Sequence, residues 1–188
     1  MKLISLYSNE KQLIKKAIQG HREAQERLYT RYAPKMLGVC RRYIKDLQFA
    51  EDVMVNGFVK VFQGLGNFGH KGSFEGWIRR IMVRESISFL RKQQFVVYDD
   101  AVYKKNVQID FSSSTADLDT EYIQELIDAL PEGYRMVFVL YAVEGYKHWE
   151  IAEMLGISQN TSKSQLYKAR KVLQEKLKKQ NIIGYGTQ

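Results

Sequence analysis

The side chains able to do covalent or metal chemistry are few and far apart. His21, His70 and His148 and the single cysteine, Cys40, fall in separate segments. No HxxxH, CxxC or GxxxxGKS spacing brings metal ligands or phosphate donors together. A zinc site would have to gather ligands from across the chain, so no catalytic group, metal or cofactor is expected. What the sequence does concentrate is recognition chemistry. Gln159, Asn160, Lys163 and Ser164 stand in one short stretch, where amides can pair with base edges and an ammonium or hydroxyl suits a phosphate. Arg80, Arg84 and Arg91 make a second group. At about 100° per residue they share a narrow arc of one helix, and no acidic residue shares it. A solvated face is the default for such arginines; the missing acids favour a polyanion.

Elements must hold these groups. Residues 144–171 read EGYKHWEIAEMLGISQNTSKSQLYKARK. Ile151, Ala152 and Leu155 give one short helix an inner face. Gly156 suits a left-handed stop, Ile157 returns to the core, and Ser158 can cap a second helix. Leu166, Ala169, Leu173 and Leu177 continue that helix's apolar seam. This is a helix-turn-helix, whose second helix can enter a major groove. A plain helical hairpin ranks below it, because basic residues gather on this one element.

The arginine arc lies on a helix over 74–92, capped by Ser73 and preceded by a glycine-punctuated loop, GNFGHKGS, over 66–73. Phe74, Ile78, Ile81, Met82 and Phe89 form its apolar side. Upstream, a short helix over 10–18 turns Leu13, Ile14, Ala17 and Ile18 inward and ends at Gly20. A longer helix over 23–44 puts Leu28, Tyr32, Cys40 and Ile44 near one face, with a bend or break expected at Pro34. Cys40 shares helical spacing with Leu37 and Ile44, which predicts a buried, unreactive thiol. Asp46 can cap FAEDVMVNGFVKVFQGL, a run too long and too aperiodic at period two for a strand. Residues 93–119 lose helical periodicity, carry several aspartates and contain Ser112-Ser113-Ser114-Thr115, the marks of a linker. Beyond it, Pro131 opens a helix with Val137, Phe138, Leu140 and Tyr141 on its apolar side.

The chain has 188 residues, 45% hydrophobic, with only two prolines and a net charge of +8. That supports packed cores and a polyanionic partner. The apolar run near the N-terminus is too short for a signal peptide, no stretch could span a bilayer, and a lone cysteine fits a reducing compartment. The expected fold class is all-α: two small helical domains joined by a flexible linker, the second a helix-turn-helix (winged-helix-like) DNA-binding domain. The expected boundaries are 1–94, 95–118 and 119–188.

Taken in order, LYTRYAPKM, FAEDVMVNGFVKVF, GNFGHKGSF, GWIRRIMVRESISFLRK, LPEGYRMVFVLYAVEGY and the helix-turn-helix resemble extracytoplasmic-function sigma factors, the promoter-recognition subunits of bacterial RNA polymerase. The resemblance covers most of residues 20–177. It implies that the first domain docks on core RNA polymerase through the helix over 50–62, here Glu51, Asp52, Val55, Asn56 and Lys60. It implies that the loop and the next helix open the promoter's minus-ten element, with His70, Lys71, Ser73, Trp77, Arg80 and Arg84. Gln159, Asn160, Thr161, Lys163, Ser164 and Lys168 would read the minus-thirty-five element. Trp77 or Phe74 could stack on a base, although Phe74 is better placed as a core residue. The sequence departs from the family at Val55-Asn56, often Gln-Glu; at Arg84, often asparagine; at Ser88, often aspartate; at Ser162, usually valine; and at Gln165, usually arginine.

The resemblance implies a cytoplasmic, non-enzymatic protein with core RNA polymerase and promoter DNA as partners, often an anti-sigma protein besides, and no membrane insertion. Two alternatives compete. One is a conventional helix-turn-helix regulator whose N-terminal domain senses a ligand or dimerises. The other is a helical protein-interaction adaptor, which leaves the arginine arc unexplained.

Overall fold

The computed structural model describes residues 2–97 and 118–179. The chain divides into two compact units, residues 1–101 and 102–188. Every regular element among the described residues is helical, and the helix-turn-helix has no strand beside it there.

In the first unit α1 (Lys2–Ile18), α2 (Arg22–Tyr43), α3 (Leu47–Gln63) and α4 (Phe74–Val97) pack around one core. Helix α2 is central, meeting α1, α3 and α4, and α3 also packs along α4. Met36, Cys40 and Tyr43 of α2, Ala50 of α3 and Ile78, Met82 and Val83 of α4 are fully buried. Each large apolar side chain so placed contributes roughly 1.5–3 kcal/mol. Burial also pushes the Cys40 thiol up to about 11, so it is a packed, unreactive group.

Local signals set the helix ends. Gly20 turns at φ +83° after α1. Asp46 caps α3, its side chain accepting from the Phe49 N–H at 3.0 Å. Ser73 caps α4 by accepting from the Gly76 N–H at 3.0 Å.

Several expectations need correcting. Helix α2 runs unbroken through Pro34. Pro34 and Thr30, whose carbonyl loses its partner, are both exposed, so water can satisfy the freed group. Ile18 does not face inward; it is 48% exposed, whereas Ile14 and Ala17 are buried and Leu13 is half-buried. Helix α1 begins at Lys2 and α4 ends at Val97, both beyond the expected limits. Ile81 and Phe89 are only half-buried, whereas Ile87 and Leu90 are buried. Helix α4 meets both α2 and α3, so its buried arc differs from the one its own periodicity predicts.

The second unit holds α5 (Leu118–Asp128), α6 (Glu132–Phe138), α7 (His148–Leu155) and α8 (Gln159–Lys179). Helix α5 was not expected. It and the end of α4 take residues 95–97 and 118 from the anticipated linker, whose residues 98–117 lie outside the described residues. Pro131 stands at the position just before α6, and a π-helical turn over Val139–Val143 continues the helix. Val137 and Leu140 are buried as expected, but Phe138 is half-buried, and Tyr141, within the π-turn, is 36% exposed. Helix α8 packs on both α6 and α7.

Candidate nucleic-acid interface

The loop before α4 is built around aromatic rings. Phe68 stands at its entry and Phe74 at its exit, 5.1 Å apart between ring centroids. Trp77 stacks beside Phe74 at 5.8 Å and touches Phe68 at 5.5 Å. Phe68 and Phe74 are buried, confirming the core position read for Phe74, while Trp77 is half-exposed. Between them His70, Lys71, Gly72 and Ser73 are exposed. His70 takes a left-handed backbone, φ +54°, with its ring 4.6 Å from that of Phe68. The Ser73 oxygen already accepts the capping bond, leaving its proton free to donate outward.

Trp77, Arg80 and Arg84 follow at steps of three and four along α4, and both arginines are exposed. Loop and helix thus offer an imidazole, an ammonium, guanidinium groups and an indole face on one side of the unit. That set can grip a phosphate chain and stack on an unpaired base.

A second surface lies on α3. Glu51, Asp52, Val55, Asn56 and Lys60 are all exposed. Lys60 Nζ pairs with Glu85 of α4 at 2.7 Å. A groove between α3 and α4 is lined by Asn56, Val59 and Lys60 on one side and Glu85, Ser88 and Phe89 on the other. Val59, 48% exposed, was missed by sequence reasoning, although it stands one turn beyond Val55.

In the second unit Gly156 takes the left-handed conformation, φ +67° and ψ +36°, that turns α7 into α8. Ser158 caps α8 by accepting from the Thr161 N–H at 3.0 Å, and its hydroxyl meets that of Thr161 at 2.8 Å. Thr161 is therefore half-buried in the cap, whereas Gln159, Asn160, Lys163, Ser164 and Lys168 are exposed. Ser164 donates to the Thr161 carbonyl at 3.0 Å, and Lys168 lies 6.0 Å from the centre of the Tyr134 ring. Behind this surface Ser162 is fully buried and meets His148 Nδ1 at 2.9 Å, joining the two helices of the motif. His148 stacks on Tyr141 at 4.7 Å. Desolvation, then the charges of Lys163 and Arg170, hold its imidazole below the usual range and favour the neutral ring. Tyr167, 70% exposed one turn beyond Lys163, also went unnoticed in the sequence.

Comparison with known proteins decides among the readings. The family Sigma-70 region 2 matches residues 28–96, and Sigma-70, region 4 matches residues 120–173. RNA polymerase sigma factor SigV of Bacillus subtilis is 31% identical over 144 residues, 74% of this chain and 82% of SigV. The chain belongs to the RNA polymerase sigma factors. Its type is the extracytoplasmic-function one: the ECF sigma factor SigW of Bacillus subtilis is 27% identical over 180 residues, 89% of this chain and 96% of SigW. The fold agrees with that of the sigma factor RpoE from Bartonella quintana, solved in complex with the anti-sigma factor NepR. That likeness has 23% identity, covers 81% of this chain and 96% of RpoE, and gives a TM-score of 0.57. A sigma factor directs promoter-specific transcription initiation, and the matches favour neither the regulator nor the adaptor alternative. No group of His, Cys, Asp and Glu that could hold a metal occurs among the described residues. No described helix is long and apolar enough to cross a membrane.

Proposed function

We propose that this sigma factor works through three surfaces. The exposed face of α3, with Glu51, Asp52, Val55, Asn56 and Lys60, docks on core RNA polymerase. His70, Lys71 and Ser73 of the loop, with Trp77, Arg80 and Arg84 of α4, hold the opened minus-ten strand. Gln159, Asn160, Thr161, Lys163, Ser164 and Lys168 of α8 read the minus-thirty-five element. Core polymerase and promoter DNA are the partners, and an anti-sigma protein a further one. The protein acts in the cytoplasm and leaves catalysis to the polymerase. Its N-terminal and C-terminal domains are joined by a linker that lies within residues 95–118.

The observation that supports the minus-ten assignment best is the exposed run of Trp77, Arg80 and Arg84 leading away from the aromatic-pinned loop. A guanidinium at position 84 can stack on an unstacked base or fork onto a phosphate. Arg84→Ala is expected to slow open-complex formation on duplex promoters while core polymerase affinity stays unchanged. The defect should shrink on a template already mismatched across the minus-ten region, because opening no longer has to be driven. Wild-type opening of duplex promoters by Arg84→Ala would show that Arg84 is only a solvated side chain.

A further inference from the structure

The match to Sigma-70 region 2 begins at residue 28, so α1 lies outside it. A chain of contacts through α2 nevertheless links α1 to the residues that flank the loop over 69–73. On α1 the Glu10 carboxylate accepts a hydrogen bond from the Tyr32 hydroxyl of α2. Arg31 Nη1 lies 3.6 Å from the same carboxylate. Tyr32 is 5% exposed, and its buried hydroxyl finds its acceptor in Glu10. Burial first, and then that carboxylate, push its ionisation far above the ordinary range, so it remains a donor.

The Tyr32 ring meets Phe74 edge-on, with centroids 5.6 Å apart. Phe74 leaves the loop and Phe68 enters it, so the Phe68–Phe74 contact pins both ends of the five-residue span 69–73. Phe68 also supports His70, the only non-glycine residue with positive φ among the described residues. A left-handed backbone at such a residue persists only where its surroundings hold it. Helix α1 further packs against the 3-10 turn Leu65–Asn67 that leads into Phe68.

We propose that Tyr32, held by Glu10, is a positioning residue for the strand-holding loop, which makes the N-terminal helix part of the minus-ten machinery. The inference rests on the reading of that loop given above. Without the hydroxyl contact the Tyr32 ring is free to tilt, Phe74 loses its buttress, and the pinned loop gains conformations that do not fit the strand. Apparent affinity for the opened strand then falls with the fraction of loops in the competent form.

The test uses full-length Tyr32→Phe, Glu10→Ala and the double variant, each assembled with core polymerase. Each single variant is expected to open a duplex promoter roughly three- to tenfold more slowly, the scale of one hydrogen bond. The double variant should be no worse than either single one, because both remove the same contact. Glu10→Gln, which keeps an acceptor, should restore most of the rate. Core affinity should hold, and the defect should shrink on a premelted template. Trp77 supplies a spectroscopic signature: in a Trp149→Phe background its emission should shift in Tyr32→Phe, as Phe74 moves beneath it. Wild-type rates, an additive double variant, or a loss of core affinity would each overturn the proposal. Lys71→Ala separates the two levels. If it slows duplex opening and Tyr32→Phe does not, only the positioning role fails; if neither slows it, the reading of the loop fails too.

Discussion

Gly57 sits in the middle of α3, where glycine costs about 1 kcal/mol relative to alanine. Propensity alone therefore makes Gly57→Ala stabilising. Packing predicts the reverse. A Cβ at this position would lie 2.3 Å from Met82 Sδ and 2.9 Å from its Cε. Met82 belongs to α4 and is fully buried, so its flexible thioether has to swing within a packed core to make room. Overpacking of this kind costs about 1–3 kcal/mol. Set against the propensity gain, the net is a loss of up to about 2 kcal/mol, which at about 4–8 °C per kcal/mol lowers the midpoint of a unit this size by up to roughly 8–16 °C. The same strain pushes α3 from α4 and weakens the Lys60–Glu85 pair at the groove, so core polymerase binding should fall as well. Urea unfolding followed by Trp77 emission, in the Trp149→Phe background, measures the first effect. A cycle with Met82→Ala identifies its origin. Truncating Met82 alone should cost about 2–5 kcal/mol, and the double variant should cost less than the sum by about 1 kcal/mol or more, because the new methyl occupies vacated space. A Gly57→Ala protein about 1 kcal/mol more stable than wild type, or strict additivity in the cycle, would refute the close-approach reasoning.

Two further outcomes test the second unit. Because the folded-state pKa of His148 is lowered, the stability its neutral ring confers should be full above about pH 6.5, the unfolded value, and lost as pH falls below it. Thermal melts followed by the emission of the adjacent Trp149 should show this loss in wild type, and its absence in His148→Gln would assign it. Lys163→Ala should weaken binding to every promoter sequence and flatten its salt dependence, whereas Gln159→Ala should lose roughly 1–3 kcal/mol of discrimination at minus-thirty-five. Equal loss on matched and mismatched elements would make Gln159 a positioning contact.

What was legible in the sequence obeys local rules. Asp46, Ser73, Ser158 and Gly156 each act where their own backbone chemistry places them: the first three accept the expected capping bonds, and Gly156 makes the expected left-handed turn. Helix α5 was hidden because its acidic residues continue the composition of the preceding stretch. Its core spacing is nevertheless present, with Ile127 buried and Leu126 half-buried, and Leu130 buried just beyond its end. Periodicity alone puts Ile81 and Phe89 in the apolar arc of α4, because a single helix cannot report that two others cover it. Of the bend or break expected at Pro34, the break does not occur, for a related reason: whether a proline interrupts a helix depends on whether the orphaned carbonyl meets water or core.

The contacts that position the candidate sites were the least legible, and their sequence separations explain why. His148 reaches Ser162 fourteen positions away, Lys60 reaches Glu85 across twenty-five, and Tyr32 reaches Glu10 across twenty-two. No helical or strand period links such pairs; only the fold brings them together. Each is a polar contact joining two helices, one of which carries residues assigned here to a partner or buttresses the loop that does. Ser162 is the sharpest case. Read along α8 it is a polar residue on an apolar seam, where it would leave a buried hydroxyl unsatisfied. In the fold it meets His148 from the neighbouring helix, and the apparent fault becomes the tie beneath Lys163 and Ser164. Surface residues of a recognition helix can thus be nominated from their chemistry alone, while the residues that aim them become visible only when the helices are packed.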